Sequence, residues 1–405
     1  MTDEKEESSG LFKRVLAASA ISNVGDGLRL VSLPVAAVGL SAEPQQIALI
    51  AAAGQAAWLL APLLGMVVDR VRPIRLMIVM DCFRLTVSGG LSVLFLLNSA
   101  GVPALAIGAL MVGLASVLGE AGNQVILPRV VPTRGLAAAN SRVYIFQSVG
   151  VQLVGPSAGA WMASMSPSVP LALDALSFGV SALLLRGIVR PGDALVGRST
   201  SDQPARAQLM SGFAWVRGHR TMRNLVWIVT WISAASGMAN GILVIFSTTV
   251  LKLSGAGYGL LLSSAALGVI AGAWVAPAIS GKVAGRLRLV AALGVTGVAY
   301  FLLPSWHEFA GAGIAVCLAG VGVGVWNVIT TAYRQRVVPA ALGARISTIY
   351  RTAAWGSAAI GAWIGGLLTS WTNSSIVFYV SGVTILCCAV LVTRLPPRAF
   401  DATSS

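Results

Sequence analysis

The chain has 405 residues, of which 56% are hydrophobic and only 10% charged, with a net charge of +14. A soluble domain carries about 25% charged residues, so this composition leaves too little polar surface to coat a water-soluble globule. The basic residues are spread over several short connectors, a pattern that excludes a nucleic-acid-binding stripe.

Twelve apolar runs follow one another, at roughly 14–40, 45–68, 75–98, 102–127, 139–164, 168–188, 223–251, 256–281, 287–305, 310–333, 346–370 and 374–393. Each is long enough to span a bilayer, which takes about 20 apolar residues. The connectors alternate in charge. Asp69–Arg75 carries Arg70, Arg72 and Arg75, whereas Asn98–Ala104 carries no Lys or Arg. The stretch Arg129–Arg142 is basic again, and Met165–Pro170 is bare. Lys and Arg stay on the cytoplasmic side during insertion. The tail 1–13, with Lys5 and Lys13, and the tail 394–405, with Arg394 and Arg398, are therefore both expected in the cytoplasm. Lys252 is the one basic residue expected outside. The first ten residues are acidic and polar, which does not suit a cleavable signal.

The first run holds Asn23, Asp26 and Arg29 at spacings of three, so all three share a helix face. Asp26 follows Arg14 by twelve residues, which places it about 18 Å into the helix. A charge at that depth faces an interior or a watery cavity. A carboxylate balanced between desolvation and Arg29 can take up and release a proton, and a permanent ion pair is the other reading of the same residues. Glu120, Asn123 and Gln124 share one face of the fourth run, with proton coupling and helix packing both open for Glu120. Asp174, in the sixth run, reads as structural. Pro34, Pro62, Pro156 and Pro277 fall inside runs and predict local kinks. Trp161, Trp306 and Trp371, near outer ends, suit interfacial anchors. The four cysteines all lie in apolar runs and give neither a disulfide framework nor metal spacing.

Two bundles, 14–188 and 223–393, are joined by the longest connector, 189–222. Its second part, Ala207–His219, sets Leu209, Phe213, Trp215 and Val216 beside Arg217 and Arg220. That pattern fits a helix on the inner membrane surface or a solvated linker. The bundles read as copies. Arg129-Val130-Val131-Pro132 recurs as Arg336-Val337-Val338-Pro339, and a polar patch follows each: Arg142 and Tyr144, then Arg345, Tyr350 and Arg351. Gly155 and Gly159 then recur as Gly361 and Gly365, at an offset of 206. Small residues four apart let helices approach closely in lipid. Six spans per copy give parallel repeats with a site between them near mid-membrane.

Gly65-Met66-Val67-Val68-Asp69-Arg70, with Arg75 further on, resembles the signature between helices two and three of the major facilitator superfamily. Ser22–Gly27, Leu127–Pro132 with Asn140, Asp174–Phe178 and Gly257–Leu261 are similar to the branch of multidrug exporters that includes macrolide-efflux and enterobactin-export proteins. The resemblance implies an all-α polytopic membrane protein of twelve transmembrane helices in two six-helix pseudo-symmetric bundles. It implies a cavity lined by helices one, four, seven and ten. Asn23, Arg29, Asn123, Gln124, Trp231, Met238, Asn240, Trp326, Asn327 and Thr330 are then candidates to meet substrate, and Asp26 and Glu120 to carry protons. Asp69, Arg70, Arg75, Asp81, Arg84 and Arg351 become candidates for a cytoplasmic gate; Asp81 and Arg84 fit the cytoplasmic charge cluster or a local ion pair near the interface, and Arg351 fits the brace or a marker of the inner boundary. The chain departs from exporter patterns in having no Arg in the fourth run before Arg129 and only a partial glycine signature in the fifth.

The two histidines, His219 and His307, lie in connectors without a nucleophile partner. Ser280-Gly281-Lys282 lacks the leading glycine of a phosphate loop, since position 276 is Ala, and Val283 stands where Ser or Thr belongs. An enzyme is therefore not expected, nor any cofactor or metal. The expectation is a monomeric, multi-pass bacterial inner-membrane antiporter that exports an amphiphilic small molecule, its partners being substrate, protons and membrane lipids. A siderophore exporter, a lysophospholipid transporter or a non-transporting membrane sensor of the same architecture would read similarly.

Overall fold

The computed structural model describes residues 2–68, 71–131, 143, 146–147, 149–187, 205–280, 282–339, 342–396 and 399–401. Asp69, Arg70, Arg142 and Tyr144 lie outside the described residues. In chain order the helices are α1 (Thr2–Gly39), α2 (Pro44–Ala56), α3 (Ala61–Val68), α4 (Pro73–Leu96), α5 (Val102–Val130), α6 (Gly155–Met165), α7 (Ser168–Arg186), α8 (Ala205–Gly218), α9 (Arg220–Thr249), α10 (Gly255–Ala278), α11 (Gly285–Leu302), α12 (Phe309–Val337), α13 (Gly343–Arg351), α14 (Ser357–Trp371) and α15 (Ser374–Val392). Every one of the twelve expected spans has a helical counterpart. Among the described residues, nine stretches are long and apolar enough by themselves to cross a membrane.

Helix starts follow local chemistry. Pro44 opens α2, and the Glu43 amide donates to Gln46 Oε1 at 3.0 Å in a capping box. The Gly257 amide donates to Ser254 Oγ at the start of α10, and the Ile376 amide to Asn373 Oδ1 at the start of α15. Three spans are broken by tighter or wider turns. A 3-10 turn at Ala57–Leu60 precedes α3, and π-helical turns at Val149–Val154 and Thr352–Gly356 precede α6 and α14. Pro62 and Pro156 sit in the first turn of α3 and α6. A proline there lacks a donor that is unpaired anyway, and the distortion it imposes falls on the turn before it.

The chain divides into two compact units, residues 1–41 with 60–202, and residues 42–59 with 203–405. In the first, α1 packs on α6 and α7, and α4 on α5 and α7. Val15, Ala18, Ile74, Met77, Ile126 and Leu185 form a buried cluster at one end. In the second, α9 packs on α14, α10 on α12, and α11 on α12 and α15. α2 belongs to this unit. Its Ala48 lies against Gly366 of α14, and Trp58 stacks on Trp355 with ring centroids 6.3 Å apart.

The internal repeat has a direct structural meaning. A Cβ on Gly155 would fall on the Gly27 backbone of α1, and one on Gly159 would meet Leu28. In the second unit, a Cβ on Gly361 would fall on Ala234 of α9, and one on Gly365 on Met238. Each repeat thus uses the same glycine pair to bring its fifth helix to backbone contact with its first. The turns after those first helices match too: Ser41 has φ 55° and Lys252 has φ 54°.

The end of the chain folds back on the second unit. Leu395 and Phe400 are buried, and the Phe400 ring lies 4.8 Å from Tyr333. The Gly285 amide donates to Asp401 Oδ1 at 2.7 Å, so a carboxylate far along the chain caps α11.

Candidate functional site

Three helices of the first unit bring five ionisable side chains together. Arg29 Nη2 lies 2.8 Å from Asp26 Oδ1 one turn back on α1, as the spacing of three predicts. Arg29 Nε lies 3.4 Å from Asp174 Oδ2 on α7. Arg84 Nη1 on α4 lies 3.5 Å from Asp26 Oδ2, and Arg84 Nη2 is paired with Asp81. Hydroxyls complete the set. Ser88 Oγ donates to Asp174 Oδ2 and Ser181 Oγ to Asp81 Oδ2, each at 2.7 Å. The Arg84 guanidinium also lies 4.2 Å from the centre of the Phe178 ring. Asp174 is 0% exposed and Asp81 2%. Asp26 is the most open member, with its side chain 19% accessible.

Asp81 and Arg84 form the local pair that was one of the two readings of their spacing, and through Arg84 they join the Asp26 network. The reason is length: they come eight and eleven residues after Pro73 opens α4, which is about 12 and 16 Å along the helix. Asp174, read from sequence as structural, is a full member as well. Its partners come from α1 and α4, and no local spacing could reveal them. Arg75 is exposed in the first turn of α4.

On α5, Glu120 and Asn123 are half-buried and Gln124 is exposed. Asn123 Nδ2 lies 3.4 Å from Ser19 Oγ of α1. In the second unit the candidates separate. Trp231, Asn240 and Asn327 are exposed, whereas Met238, Trp326 and Thr330 are buried. Thr330 Oγ1 donates to the Trp326 carbonyl at 2.8 Å, a bond within the helix. Arg351 lies over the Trp58 ring at 5.8 Å. Sequence reasoning missed Arg334, whose guanidinium stands 3.8 Å over the Tyr350 ring. An Arg late in a span is the signal that could have found it. Among the described residues, no group of three His, Cys, Asp or Glu converges to hold a metal ion.

A buried network of acids and guanidiniums across three apolar helices is the arrangement expected where ions or polar solutes cross a bilayer. The family profile described as Major Facilitator Superfamily matches residues 15–362. The chain belongs to the major facilitator superfamily. It is a membrane-embedded transporter of that type. An uncharacterised MFS-type transporter of Sinorhizobium fredii, y4rN, is 26% identical to it over 400 residues, 96% of each chain. Among solved structures, a POT family transporter superposes with a TM-score of 0.75 at 13% identity, covering 97% of this chain and 96% of that one. The nucleoside transporter NupG superposes at 0.72 and 12%, covering 96% and 98%. A bacterial homologue of the iron transporter ferroportin superposes at 0.71 and 18%, covering 95% and 98%. These likenesses establish the major facilitator fold.

Proposed function

We propose that this transporter is a proton-coupled exporter of an amphiphilic small molecule, such as a drug or secondary metabolite. It works by alternating access in the bacterial inner membrane, with both termini in the cytoplasm. The observation that carries the reading is Asp26. It is an acid in the middle of a membrane helix, held by guanidiniums from α1 and α4, and it keeps 19% of its side chain accessible. An ionisable group at such a depth is the usual mark of an ion or proton path. The efflux direction and the multidrug branch are supported by the sequence motifs around Ser22–Gly27, Leu127–Pro132 and Gly257–Leu261. Trp231, Asn240 and Asn327, exposed in the second unit, are the side chains best suited to meet an amphiphile there.

The test is a panel of amphiphilic cations, neutral drugs, siderophores and lysophospholipids offered to inverted membrane vesicles under an imposed pH gradient. The reading expects uptake of at least one amphiphile that collapses with the gradient. Uptake indifferent to the gradient, or none across the panel, contradicts it.

A further inference from the structure

Charge does not balance in the buried network. Asp26, Asp81 and Asp174 are three acids, Arg29 and Arg84 two bases. Among the described residues no other Lys or Arg pairs with these acids. Every element packed on Asp174 bears this out. α1 offers Asp26 and Arg29, α4 offers Asp81 and Arg84, and α6 carries no ionisable side chain. Arg84 also passes over Gly119 of α5. An unpaired charge held in a membrane interior is expensive, and the usual escape is neutralisation.

The acids are not equally served. Asp26 has both guanidiniums, and Asp81 has its own arginine one turn away plus the Ser181 hydroxyl. Asp174 has one guanidinium at 3.4 Å, which lies nearer to Asp26, and the Ser88 hydroxyl. Its Oδ1 is buried and has no hydrogen-bond partner. That oxygen faces the α1 backbone, where a Cβ on Gly25 would lie 2.8 Å from it. An oxygen without a partner costs far less on a neutral carboxyl than on a carboxylate.

We infer that the Asp26–Arg29–Asp81–Arg84–Asp174 network is a single-proton site, and that in the arrangement seen the proton resides on Asp174. Arg29, shared between Asp26 and Asp174, is the link through which the two acids sense each other. When the proton sits on Asp26 instead, Arg29 is free to pair fully with the Asp174 carboxylate. In either arrangement three acids, two guanidiniums and one proton leave the network neutral. Its use in transport rests on the proton-coupled reading above, but the site can be measured separately.

The experiment is infrared spectroscopy of the purified full-length protein in nanodiscs at neutral pH, read at the protonated-carboxyl stretching band. The wild type is expected to show this band. Asp174→Asn removes it, and Asp174→Glu moves its frequency. Asp26→Glu and Asp81→Glu leave the frequency where it is, which locates the proton even if substitutions at 174 fail to fold. The absence of the band in the wild type overturns the inference. So does a band that moves with Asp26→Glu or Asp81→Glu, or one that fades when sodium replaces choline at fixed pH. A band without gradient-driven uptake would end the exporter reading and leave the site standing; uptake without a band would do the reverse.

Discussion

Arg29 lies between two acids: Asp26 is 2.8 Å away on the same helix, and Asp174 is 3.4 Å away on α7. The same side chain therefore ties the first span of the first unit to its sixth. A second arginine, Arg84, ties Asp26 to α4. The first unit is held together in the membrane by charge as well as by packing.

Removing Arg84 tests that structural part. Asp81 is 2% exposed and paired with it. Taking away one partner of a buried pair costs about 3–5 kcal/mol. Arg84→Ala is expected to lower the thermal midpoint of the detergent-solubilised protein markedly. Arg84→Lys keeps the charge but loses the fork and the stack on Phe178, so it should fall in between. An Arg84→Ala protein as stable as the wild type would show that the pair contributes nothing net.

The repeated glycines make a second prediction. A side chain at Gly155 or Gly361 would meet backbone atoms of Gly27 or Ala234, which cannot rotate aside. Overpacking of this kind costs about 1–3 kcal/mol. Gly155→Val and Gly361→Val should destabilise alike in thermal unfolding, because they do the same job in each repeat. Gly294→Ala, where a Cβ meets nothing within 4 Å, is the control expected to leave the midpoint unchanged.

Burial separates neighbouring candidates in α12. Trp326 is buried and Asn327 is exposed. Trp326→Ala removes a large core side chain and should cost about 3–5 kcal/mol in stability. Asn327→Ala should stay within about 0.5 kcal/mol of the wild type while changing transport of the amphiphile. The reverse pattern, stability lost at 327 and transport lost at 326, would place the substrate contact on the other residue.

Asp401 gives a fourth prediction. Its carboxylate accepts from the Gly285 amide, and its carbonyl accepts from Arg336 Nη1 at 2.6 Å. Asp401→Ala should cost about 1 kcal/mol, the usual loss for a helix cap. It should also speed amide hydrogen exchange at Gly285, which loses its acceptor. An exchange rate equal to that of the wild type would show that the carboxylate does not hold this helix start.

Much of this was legible in the sequence, for reasons that differ by element. The spans follow from run length and loop charge, which the bilayer imposes locally. The glycine contacts were legible because Gly155 and Gly159 repeat at a fixed offset as Gly361 and Gly365. The Asp26–Arg29 pair was legible because three residues make a helical neighbour. Asp174 was not, since its role depends on α1 and α4 both packing on α7. The Asp81–Arg84 pair was legible from the same spacing of three, and the depth of both along α4 already placed them near Asp26.

The most direct test of proton coupling is Asp26→Asn in inverted vesicles, with amphiphile uptake and proton efflux followed together under an imposed pH gradient. The account predicts that the variant inserts and folds normally and still binds the amphiphile, while gradient-driven uptake falls at least tenfold and the coupled proton signal disappears. Uptake and proton movement equal to those of the wild type would contradict it.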